Sequence, residues 1–134
     1  MELREVRDYI KTSNVAKNYY IGKLDSKKDE SIGVYQLKKH NEYERAVGEE
    51  SNDRIKKKAV SVLIHWNKNA AQTETAAQKL YDFLKNTQPN TTIGNAEISF
   101  VQLLQNEPID VSADDFGIYE RVIEFIIYYT QKTD

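Results

Sequence analysis

Cysteine is absent from the chain. That excludes disulfides, thiolate metal sites and a cysteine nucleophile, and it suits a reducing compartment. Glycine occurs five times, each residue isolated from the others, so no Gly-rich loop is available to cradle a phosphate and no G-x-S-x-G elbow presents a serine nucleophile. No apolar run is long enough to cross a bilayer; the longest, near Ile126-Ile127-Tyr128-Tyr129, is the size of a strand. Charge of one sign is also lacking. Nineteen Lys and Arg against 21 Asp and Glu leave a net charge of −2, without the positive excess of a dedicated DNA binder. The opening residues, Met1-Glu2-Leu3-Arg4-Glu5, have none of the apolar character of a signal peptide. A soluble, cytoplasmic protein with no membrane association is expected.

What is present suits one domain over residues 1–134. That length buries a sizeable core, and the 40% apolar share is too high for a disordered chain. Leu3, Val6 and Ile10 recur at helical spacing and predict a short amphipathic helix, stopped at Thr12-Ser13-Asn14. Tyr19-Tyr20-Ile21 reads as a strand closed by Gly22, and Ile32 to Lys39 as a second. Between them, residues 23–31 are polar and read as a loop; so do residues 48–54. The clearest strand covers 59–66. Val60, Val62, Ile64 and Trp66 share one apolar face, while Ala59, Ser61, Leu63 and His65 make a mixed face that is half covered. The clearest helix covers 70–85, with Asn69 as N-cap and an apolar stripe of Ala77, Leu80, Tyr81 and Leu84. Pro89 closes that option. A strand at 96–104 places Ile98, Phe100 and Gln102 on one face. After Pro108, residues 107–117 read as an extended connection, and a long strand spans 118–129. This order predicts an α+β fold: a single, mainly antiparallel sheet with a central helix packed on one face and a short N-terminal helix.

The residues offer little chemistry. His40 and His65 lack a second ligand at metal spacing, and His65 is expected as a satisfied, partly exposed side chain. Glu49-Glu50, Asp114-Asp115 and the Glu120/Glu124 pair are carboxylates of solvated or salt-bridged surfaces, without the cleft that acid–base pairs need. No catalytic, cofactor-binding or metal-binding set emerges, and no cofactor is expected. Lys56-Lys57-Lys58 is a candidate nucleic-acid contact, with Lys38 and Lys39 nearby; it is also a charged lead-in that guards an apolar strand from aggregation. Nine tyrosines, several at strand ends, suit protein interfaces. The terminal strand therefore reads as an edge that pairs between subunits, with Tyr119, Glu120, Arg121, Glu124 and Tyr128 as candidate interface residues. Lys27, Lys28, Glu49, Glu50 and Asp53 are candidate assembly-loop residues.

Four stretches carry a family resemblance: Tyr20 to Asp25, Ser31 to Tyr35, Ala59 to Lys68 and Asp115 to Arg121. In this order and spacing they resemble the minor capsid protein family of tailed phages and prophages of Gram-positive bacteria, over roughly residues 15–130. Proteins of this class are similar to the tail terminators of long-tailed phages. The resemblance implies a non-enzymatic structural subunit that forms a homo-oligomeric ring, usually a hexamer, on the tail tube. Its implied partners are the tail tube protein and the head connector or head-completion protein, with DNA only passing through the ring. The implied location is the neck of the virion, reached from the host cytoplasm during assembly. A head-completion role and a weak nucleic-acid-binding module are the alternatives.

Overall fold

The computed structural model describes residues 1–22, 28–38 and 55–132. Helix α1 (Leu3–Lys11) forms where the apolar spacing places it, and its Val6 and Ile10 are fully buried. Glu5 reaches back to accept a hydrogen bond from the Glu2 amide at 2.9 Å, satisfying a donor that the first turn leaves open. The helix stops where the Thr12 and Ser13 hydroxyls donate to the Tyr9 and Ile10 carbonyls, and Asn14 turns the chain with φ 57°. Helix α2 (Ala70–Lys85) starts at Asn69, whose side chain accepts from the Gln72 amide. It buries Thr73, Ala76, Ala77, Leu80, Tyr81 and Leu84.

The strands are β1 (Asn18–Ile21), β2 (Ser31–Gln36), β3 (Ile55–His65), β4 (Thr91–Ile93), β5 (Ala96–Leu103), β6 (Ile109–Ala113) and β7 (Tyr119–Gln131). They form one sheet in the order β1-β2-β3-β7-β5-β4, with β6 also on β7. Every described pairing is antiparallel except β1 with β2. Both helices add to one core on one face of the sheet, as the α+β reading requires. The β3–β7 register explains that core. It sets Val60 opposite Phe125 and Val62 opposite Ile123. Directly opposed residues share a face, so these four point together toward the helices and are buried. The intervening pairs, Ser61 with Glu124, Leu63 with Val122 and His65 with Glu120, point to the far face.

Three expectations change. The terminal strand β7 is central: β3 flanks one side along its length, while β5 and then β6 flank the other. Its backbone groups are used within the chain, so it offers no edge for a neighbour. Its uninterrupted apolar character belongs to the middle of the core. Residues 109–113 form a strand, β6, rather than an unpaired connection. All of them are exposed, so they leave no alternating pattern in the sequence. Finally, a bulge between Ile98 and Phe100 reverses the parity of β5. Ile98 is buried, whereas Phe100 is 52% exposed on the far face, stacked on Tyr128 with ring centroids 4.3 Å apart. Short strand β4 was not foreseen. The turn after it holds Gly94 at φ 56°, a left-handed conformation that favours glycine; a β-carbon there would also have to push aside the end of the Glu5 side chain.

Tyr9 and Phe83 bring the two helices into ring contact at 5.1 Å. The Tyr81 hydroxyl donates to the Gln105 carbonyl at 2.7 Å, tying α2 to the connection between β5 and β6. Leu80 is completely buried among these elements. Leu80→Ala is therefore expected to lower unfolding free energy by about 2–5 kcal/mol, measured by urea denaturation. A loss below about 0.5 kcal/mol, the usual range of surface substitutions, would show that α2 does not seal this core.

Candidate functional site

Polar chemistry concentrates at one end of the sheet. A row of backbone hydrogen bonds crosses that end: Lys17 N–H to the Glu30 carbonyl, Glu30 N–H to Trp66, and Trp66 N–H to Tyr119. Tyr119 N–H returns a bond to the Asn67 carbonyl. On the far face of this end lies His65, 2% exposed rather than partly exposed. Its Nδ1 is 2.9 Å from Glu120 Oε2 and 3.8 Å from Asp114 Oδ2. A carboxylate accepts, so the short contact places a proton on Nδ1. Nε2 is buried without a partner among the described residues.

Asp114 builds the β6–β7 turn. Its Oδ1 accepts from the Phe116 and Ile118 amides at 2.9 and 3.0 Å, while its own backbone N–H bonds the Ile118 carbonyl. Gly117 takes φ 81°, which a residue with a β-carbon rarely adopts. The amide of Ile118 holds the Asp114 carboxyl below the usual aspartate range; the Phe116 amide and His65 add to this while burial opposes it.

His65, Asp114 and Glu120 could supply three metal-ligand atoms, all within 4.8 Å of one another. Coordination at Nδ1 would move the imidazole proton to Nε2, which has no acceptor among the described residues. The hydrogen-bonded arrangement needs no ion: it braces the turn against β3 and β7. Asp114→Ala is expected to cost about 1–3 kcal/mol by removing two bonds to a charged acceptor. The sign of the pH effect follows from the depressed pKa. Stability from Asp114 is present above the ordinary aspartate range and is lost as pH falls through the lower folded value. Asp114→Asn should flatten the fall in stability below about pH 4, measured by urea unfolding across pH. An unchanged slope would remove Asp114 from the acid response.

The sequence candidates separate on the structure. Tyr119 and Arg121 share the helix side of β7, and Arg121 approaches Glu74 of α2 and Asp110 of β6 at 3.7 and 3.8 Å. Glu120, Glu124 and Tyr128 lie on the far face, where Glu124 accepts from Gln105 at 2.8 Å and the Tyr128 hydroxyl donates to Gln102 at 2.9 Å. Lys56 and Lys58 alternate with Lys57 across β3, opposite Tyr129, Ile127 and Tyr128 in turn, so the three cations divide between two faces and form no single phosphate-tracking stripe. Burial lowers the Lys58 pKa further. Lys28 is exposed before β2, its carbonyl accepting from the Ser31 hydroxyl. Lys27, Lys39, His40, Glu49, Glu50 and Asp53 lie outside the described residues.

Sequence reasoning missed two features at the lateral edges of this end. At the β6 edge, Ile109, Val111 and Phe116 are exposed, Phe116 by 73%. An apolar ring in an Asp-Asp-Phe-Gly turn, with no periodic partner to bury it, was the available signal. At the β1 edge, Arg7, Asp8, Lys11, Lys17, Asn18, Tyr19 and Tyr20 line an open groove of about 320 Å³. The groove beside α2, lined by Val15, Trp66, Thr75 and Lys79 among others, holds one ionisable group and so no acid–base pair.

No curated protein matches the chain. A family model described as bacteriophage tail terminator protein matches residues 2–131, nearly the whole sequence. The chain belongs to the bacteriophage tail terminator family, and is a structural component of the virion.

Proposed function

We propose that the protein closes into a homo-oligomeric ring, a hexamer, that caps the tail tube and joins it to the head connector. The match over residues 2–131 carries this reading. The fold supports it in two ways. A ring needs two different, complementary patches on each subunit, and the sheet has opposite lateral edges of different character: an apolar, acidic one at β6 and a basic, tyrosine-lined one at β1. His65 Nδ1, Asp114 and Glu124 are engaged in internal hydrogen bonds, which suits a scaffold rather than an enzyme. A near-balanced charge of −2 lets DNA pass through a lumen without tight binding.

Light scattering coupled to size exclusion, over a wide concentration range and with and without tail tube protein, tests the proposal. The expected result is a species at about six times the 15.6 kDa chain, or a rise toward it with concentration or on the tube. A chain that keeps its single-chain mass throughout and leaves the tube unbound would overturn it.

A further inference from the structure

Within the ring reading just given, on which this inference rests, the structure points to how neighbouring copies meet. Strand β6 lies beside residues 119–122 of β7, which lie beside the C-terminal end of β3, the start of β2 and the start of β1. The β6–β7 turn and the Arg7–Lys11–Lys17 groove therefore sit at the same end of the sheet, on opposite lateral edges. The hydrogen-bonded row from Lys17 to Tyr119 joins them at one level. Four strand spacings of roughly 4.8 Å separate β6 from β1, so roughly 19 Å lies between the two edges. Among the described residues no hydrogen bond or ion pair links them within one molecule.

The two features complement each other. The turn is fixed by the Asp114 carboxylate and Gly117, and it holds Phe116 in solvent beside exposed Asp115. A rigid exposed aromatic flanked by acids is a ready anchor, since fixed geometry leaves little order to be lost on binding. The groove offers three cations, Arg7, Lys11 and Lys17, against one acid, Asp8, and its tyrosines give an aromatic wall. Arg7 pairs with Asp8, and Lys17 with Glu30; Lys11 stands exposed at the helix C-terminus.

We propose that the Asp115–Phe116 turn of one copy seats in the Arg7, Lys11 and Lys17 groove of the next. The contact joins unlike patches from opposite edges, so each copy in it keeps its other patch free for a further neighbour until rotation closes the ring.

The absence of cysteine makes a clean test possible. A variant carrying Asn18→Cys and Asp115→Cys retains Phe116 and all three groove cations. Within one chain the two positions are too far apart to bridge, because disulfide Cα atoms lie within about 7 Å. Oxidation, with and without tail tube protein, should give a ladder of covalent multimers ending at the ring. A control pairing Asp115→Cys with Gln78→Cys on the exposed side of α2 should give no ladder. Separately, Asp115→Lys should weaken self-association by about tenfold or more, and Phe116→Ser should do so while leaving the urea midpoint unchanged. If the Asn18/Asp115 pair gives no ladder, or no more than the control, while the unsubstituted protein reaches the ring mass, this interface is wrong and the ring stands. If the unsubstituted protein never leaves its single-chain mass, even on the tube, the ring reading fails and the interface with it.

Discussion

The pairing of β3 with β7 is the constraint on which the structure depends. Eleven residues of β3 oppose β7 from Ile55 with Thr130 to His65 with Glu120. A slip of one residue would exchange Val60, Val62 and Ile64 for Ser61, Leu63 and His65 on the helix side. It would carry an imidazole into the apolar core and part it from Glu120. The apolar core and the polar brace on the far face thus enforce the same register from opposite sides. β2 builds outward from β3, β5 and β6 from β7, and the helices close over the surface these strands create.

That register also decides where functional surface can lie. With β3 and β7 in the middle, the long strands are committed to the fold, and the strand edges left open are those of the short elements at the rim. Strand β6 illustrates the trade. Its five side chains are all exposed, and a bulge between Asp110 and Ser112 bends it. A bulged, short edge resists indiscriminate strand addition, which leaves recognition to the side chains and to the turn that follows.

The sequence made the central elements legible because burial imposes periodicity. Val60, Val62 and Ile64 alternate; Ala77, Leu80 and Leu84 recur at helical spacing; both segments lie where those patterns put them. Asn69 marked the start of α2 through its side-chain oxygen. What stayed hidden lacked burial or broke its rhythm. Strand β6 has no inward face, and the bulge in β5 shifts Phe100 out of phase with Ile98, an inserted residue that no side-chain pattern announces. The central place of β7 was hidden as well, since an apolar strand reads alike whether a partner lies on one side or both. At the site, His65 and Glu120 are far apart in sequence and meet only through register, while the groove draws on α1 and β1, brought together by packing.

Trp66 is the sole indole in the chain, 7% exposed, and it sits within the hydrogen-bonded row between Glu30 and Tyr119. Indole emission shifts with local polarity, so the molecule contains its own optical gauge at the end of the sheet where both lateral edges carry the features proposed for recognition. Loosening of that end wets the ring and reddens the emission, whereas events confined to the opposite end leave it unaltered. A label-free spectroscopic signal is thereby built into the end of the sheet that the hydrogen-bonded row and the Asp114 turn hold together.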